Sequence, residues 1–85
     1  MRYTLKMIVR TSTNNETFVI KESSYEVLTE KRDNLVRLYS NSVSHECMFK
    51  FEYIKHTEEG NKQYMTCYSP EILKLSRIDF VIVEY

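Results

Sequence analysis

The chain has 85 residues, with twelve basic and twelve acidic side chains and a formal net charge of zero. That length accommodates one domain, residues 1–85, around a single modest core and excludes a second; the 42% hydrophobic and 28% charged fractions exclude a disordered tail. Zero net charge removes any global electrostatic case for nucleic acid, membrane or an acidic partner, so such a case must rest on how the charges are distributed.

There is no alanine, one glycine (Gly60) and one proline (Pro70), where average usage would supply about 10 glycines and prolines together. Lys, Asn, Ile, Tyr, Phe, Met, Glu and Ser take their place, the residues that A/T-rich codons encode. We read this as the coding bias of a GC-poor genome, a low-GC bacterium or one of its phages or plasmids. The segment Met1–Arg10 is broken by charge at Arg2, Lys6 and Arg10, which does not suit a secretory h-region. No apolar run approaches the roughly 20 residues that span a bilayer. Two cysteines, Cys47 and Cys67, are too few for a disulfide framework. The expectation is two reduced thiols in a cytoplasmic protein.

In chain order, residues 2–12 alternate, with Tyr3, Leu5, Met7 and Val9 on one face and Thr4, Lys6, Ile8 and Arg10 on the other, as a half-buried strand does. Asn14-Asn15 can supply a turn, and residues 17–21 return as a second strand. Ser23-Ser24-Tyr25-Glu26 fits a capping box with Ser23 as N-cap. It opens a helix to about Ser40, with Tyr25, Leu28, Leu35, Leu38 and Tyr39 as its apolar stripe. Residues 46–56 alternate again, Phe49, Phe51 and Tyr53 against Met48, Lys50, Glu52 and Ile54. A turn around Glu58-Glu59-Gly60 leads into a fourth strand, 62–68. A three-residue loop with Gly60 left-handed pairs Phe51 with Cys67 and Tyr53 with Met65; a two-residue Gly60-Asn61 loop is the rival and reverses the facing. The first is preferred because it sends Met65 and Cys67 into the core. Ser69-Pro70-Glu71 starts a short helix through Leu75. Residues 77–85 are apolar on both faces in their middle, which suggests a central strand.

The fold class expected is therefore α+β: β-β-α-β-β-(short helix)-β, a mixed or antiparallel sheet with one helix on one face. In length and element order the whole chain resembles the β-grasp, the ubiquitin-like superfold, whose last strand lies centrally beside the first. The resemblance rests on no motif. Ubiquitin-like modifiers end in Gly-Gly where this sequence reads Val83-Glu84-Tyr85, so the resemblance implies no conjugation role. A plain antiparallel sheet with the helix across it is the alternative.

Chemistry is sparse. There is no glycine-rich phosphate loop, G-x-S-x-G or H-E-x-x-H, and no enzymatic activity, cofactor or metal is expected. His45, Cys47, His56 and Cys67 could supply four zinc donors, but their spacing matches no zinc motif and the preferred register separates them. Two surfaces stand out. The sheet face away from the helix gathers Lys6, Arg10, Lys50, Tyr64, Tyr68, Val83 and Tyr85, an interface-like mixture of tyrosine, aliphatic and basic residues. The helix offers an acidic ridge, Glu26, Glu30 and Asp33, preceded by Glu22. The expected function is a small non-enzymatic protein-binding module, acting on a protein partner or by self-association as a homodimer. Size, coding bias and lack of catalytic residues resemble the small host-takeover and anti-defence proteins of phages, which implies an inhibitor or modulator of a host factor. A nucleic-acid-binding module using the basic and tyrosine sheet face is the alternative; no membrane partner is expected.

Overall fold

A computed structural model describes residues 2–44 and 48–84. The elements are β1 (Tyr3–Arg10), β2 (Asn15–Ser23), α1 (Tyr25–Ser44), β3 (Phe49–Thr57), β4 (Gly60–Tyr68), α2 (Pro70–Leu75) and β5 (Arg77–Glu84). The strands form one antiparallel sheet in the order β4-β3-β2-β1-β5. The α+β class and element order are those expected, in one compact unit with one main helix and one short one.

Alternation in β1 does what its pattern requires. Leu5, Met7 and Val9 are buried, and with Ile20, Leu28, Leu35, Phe49, Phe51 and Leu73 they make the core. Without alanine, that core is filled by large side chains and by aromatic contacts. Phe18 meets Phe51 and Tyr53 edge-on at 5.3 and 4.8 Å, and Tyr39 meets Phe49 at 5.7 Å. The β1–β2 turn closes on Thr11, whose amide and hydroxyl both donate to the carbonyl of Asn14 at 2.8 and 2.9 Å. Asn15 already belongs to β2 and pairs with Arg10. A bulge opposite Leu5 accommodates Ile20 as the extra residue of β2.

The main helix starts later than its capping signal suggests. Ser23 is the last residue of β2, and the carbonyl of Ser24 accepts the first helical bond, from Leu28 N at 3.1 Å. The helix runs to Ser44 rather than Ser40. Leu28 and Leu35 are buried and Tyr39 is half-buried, but Tyr25 and Leu38 are exposed, so the buried stripe is narrower than its spacing implies. By contrast α2 follows its signals closely: Ser69 caps it by accepting from Ile72 N at 3.4 Å, Pro70 opens it, and Leu73 is buried.

Three corrections concern long-range pairing. First, β5 lies beside β1 but at the sheet edge, pairing from Tyr3↔Glu84 to Arg10↔Arg77. This is not the central place that the β-grasp gives its last strand. Second, the β3–β4 loop has two residues, Glu58-Glu59, between the paired Thr57 and Gly60. The register is therefore Phe51↔Thr66 and Tyr53↔Tyr64, one position from the expected pairing, and every β4 side chain changes face. Met65 and Cys67 are exposed, not core. Third, β2 and β3 share a single registered pair, Val19↔Ile54, whereas the other neighbours pair along eight or nine residues. The hairpin β3–β4 thus shares one registered backbone pair with β2, and side chains carry the rest of the junction: Phe18 against Phe51 and Tyr53, Tyr68 to Glu16 and His56 to Glu22. Beside this seam, Lys31, Leu35 and Leu38 of α1 line a surface cleft together with Lys50, Phe51 and Glu52 of β3 and Met65 of β4.

Candidate functional site

The helix-free side of β1, β2 and β5 carries Thr4, Lys6, Ile8 and Arg10 from β1, with Val81 opposite Lys6 and Val83 opposite Thr4. Val19 lies across from Lys6 and Glu22 across from Thr4. The far end of the β3–β4 hairpin leans over this surface, because His56 reaches the same groove as Val83. That groove, of about 320 Å³, is lined by Thr4, Lys6, Val19, Glu22, His56, Val83 and Glu84. Its apolar walls are the β-branched Val19 and Val83. Its rim carries both charge signs.

His56 braces the hairpin over the groove. Its Nδ1 lies 2.7 Å from the side-chain oxygen of Asn61, and its Nε2 lies 3.3 Å from a Glu22 carboxylate oxygen. The hairpin register sets His56 directly opposite Asn61. Glu22 reaches it from β2, because the helix begins only at Tyr25. Glu22 therefore belongs to this groove and not to the acidic helix ridge with which sequence spacing groups it.

At the other end of β1, Arg10 and Arg77 are cross-strand partners, a like-charge pair that would repel. Asp79 relieves it by accepting from Arg10 Nε at 3.0 Å and from Arg77 Nε at 3.1 Å. The hydrogen bond from Arg10, seconded by that from Arg77, holds the Asp79 carboxyl below the usual carboxylate range.

The expected site residues divide. Lys6 and Val83 line the groove, and Arg10 lies on the same side but is engaged with Asp79. Lys50 sits on the exposed side of the hairpin, opposite Cys67. Tyr64 and Tyr68 do not join them. Both lie on the phenylalanine side of the hairpin, Tyr64 stacked on Tyr53 at 5.6 Å and Tyr68 on Phe51 at 6.0 Å. The Tyr68 hydroxyl donates to Glu16 at 3.2 Å. Burial first, then the Glu16 charge and this hydrogen bond, push it up to about 12. Tyr85, Cys47 and His45 lie outside the described residues.

Glu26, Glu30 and Asp33 are exposed on the outer side of α1, lining a shallow surface depression with Tyr25, Thr29, Asn34 and Arg37. Among the described residues no cluster of His, Cys, Asp and Glu is arranged to hold a metal ion, and no helix is long and apolar enough to cross a membrane. Sequence reasoning missed His56 and Glu22 as groove residues. The available signal was local: with Ser24 rather than Ser23 before the helix, Glu22 falls in a strand and alternates with Lys21.

Compared with known proteins, the chain matches no family model, no curated sequence and no solved structure.

Proposed function

We propose that this chain is a small non-enzymatic protein-binding module whose working surface is the groove between the β3–β4 tip and the helix-free side of β1, β2 and β5. The observation that carries the reading is the lining of that groove: apolar Val19 and Val83 inside a rim of Lys6, Glu22, His56 and Glu84. An apolar centre bordered by charges of both signs suits an extended protein segment with one apolar anchor and flanking polar residues. It does not favour a polyanion, which would meet Glu22 and Glu84. The nucleic-acid reading also loses its stacking platform, because Tyr64 and Tyr68 face the phenylalanines. The coding bias supports a phage or mobile-element origin in a low-GC host, with a cytoplasmic host protein as the partner and inhibition or modulation as the outcome.

The test is capture from a low-GC bacterial lysate with three baits: the unaltered chain, V83E, and the helix variant E26K/E30K. A protein held by the first and third baits and reduced at least tenfold on V83E supports the reading. A protein lost only with E26K/E30K moves the surface to the acidic helix. Tight binding of single-stranded or duplex oligonucleotides at physiological salt overturns it in favour of nucleic acid.

A further inference from the structure

The seam between β2 and β3 opens into a cleft of about 430 Å³ that shares only Glu22 with the groove. Its backbone groups follow from ladder geometry. Thr11 and Asn14 close the β1–β2 turn as a hydrogen-bonded pair, and such pairs alternate with open ones along an antiparallel ladder. Lys6↔Val19 is then an open pair, and Val19 turns its backbone towards β3. The two-residue loop makes Thr57↔Gly60 a bonded pair, so Ile54 turns its backbone towards β2 and meets Val19. Beyond that meeting the strands part. By the same count Glu22, past the bulge, and Glu52 turn their amides into the opening, where the two strands share no registered pair.

Three cations line this opening: Arg2 just before β1, Lys21 of β2 and Lys31 of α1. Singly, exposed cations are ordinary solvated side chains; here three separate segments bring them to one cleft. Among the described residues the ion pairs are made by Arg10, Arg32, His56, Lys62 and Arg77, so no carboxylate pairs with any of the three. The acids of the cleft are engaged with other partners. A Glu22 carboxylate oxygen lies 3.3 Å from His56 Nε2, and Glu52 accepts from Gln63 Nε2 at 3.2 Å. The lining therefore carries more positive than negative charge in a chain whose total is zero. Ile20 and Ile54 supply its apolar part, where water screens the neighbouring charges less.

We propose that this cleft binds a small phosphate compound carrying two or more negative charges, a phosphate monoester or pyrophosphate. Arg2 offers a planar fork of donors for phosphate oxygens, and Lys21 and Lys31 act as point charges beside it. The Glu22 and Glu52 amides add backbone donors at the same opening. Three cations repel one another, and a single negative charge would not offset that repulsion together with the two carboxylates nearby. The volume suits a small molecule rather than a polymer.

The experiment is a titration of the isotope-labelled chain with sodium pyrophosphate, at neutral pH and constant ionic strength, read as amide shifts. The expected result is saturable shifts centred on Glu22 and Glu52, half-complete between about 0.1 and about 10 mM, and weaker as salt is raised. K21M/K31M should weaken binding at least about tenfold and K21R/K31R should keep it, while K55M/K74M, which removes two cations from other parts of the surface, should leave it unchanged. Should K21M/K31M unfold, R2M alone keeps the test open, with an expected loss of at least about threefold. The absence of saturable shifts up to about 20 mM overturns the proposal, as does binding that K21M/K31M leaves intact or that K55M/K74M weakens equally. So does a short single-stranded oligonucleotide that binds more tightly than pyrophosphate, which would make these cations part of a nucleic-acid surface. That last result would remove the groove reading as well. The others leave it intact, because Arg2, Lys21 and Lys31 lie outside the groove lining.

Discussion

Gly60 adopts φ +120°, a region that L residues rarely enter, yet a Cβ built there would meet nothing within 4 Å. Its requirement is conformational, not steric. Gly60→Ala should therefore cost about 1–3 kcal/mol through backbone strain alone, read as a lower denaturant midpoint at unchanged m-value. Tyr68 carries a second residue-level consequence. Its hydroxyl titrates near 10 when unfolded and near 12 in the fold. The folded state thus favours the protonated form, and this contribution is complete below pH 10 and lost as pH rises towards 12. Tyr68→Phe should lose the Glu16 hydrogen bond at neutral pH and show a shallower fall in stability across that alkaline window, measured by denaturant titration at each pH. Cys67, placed by the observed register on the exposed side of β4, should react with an alkylating reagent in the native protein almost as fast as in the unfolded chain; strong protection would contradict that register.

The single Val19↔Ile54 pair makes the β2–β3 seam the weak line of the sheet. The amides of β2 and β3 that point into this seam lack the continuous ladder that protects β1 against β2 and β5, although each strand is fully paired on its other side. Native-state hydrogen exchange should show these amides opening at lower free energy than those of Leu5, Met7 and Val9; uniform protection across all five strands would refute the division. The elements themselves were legible, because period-two alternation, the Ser69-Pro70 start and the apolar helix positions are local signals. Register and strand order were not. Thr57-Glu58-Glu59-Gly60 accommodates loops of two or three residues, and a slip of one exchanges Met65 and Cys67 for Tyr64 and Tyr68 on the core side. The doubly apolar middle of β5 resembles a central strand, although one long neighbour and flanking helices suffice to half-bury it. The groove was legible in part. Lys6 and Val83 follow from the alternation of β1 and β5, whereas His56 and Glu22 come from different hairpins and meet across the β2–β3 seam, a long-range pairing that local pattern does not encode.

Across the whole molecule, the most deeply buried strand is the first in the chain, and one of its two neighbours is the last. β1 contributes Leu5, Met7 and Val9 to the core and pairs on one side with β5 alone. During synthesis β1 can zip to β2 at once and receive α1 soon after. Its other flank must wait until every intervening element has been made. For that interval the nascent chain presents an apolar strand with a bare row of amides and carbonyls, the form most open to mispairing. A chain stopped after Ser76 keeps four strands and both helices yet leaves that flank permanently bare, so it should be recovered as aggregate rather than as a soluble folded fragment. Adding a separate peptide of residues 77–84 during refolding should rescue solubility, measured by light scattering. If the truncated chain refolds as a stable monomer without the peptide, β5 is dispensable and the late closure of β1 has no bearing on how the protein reaches its fold.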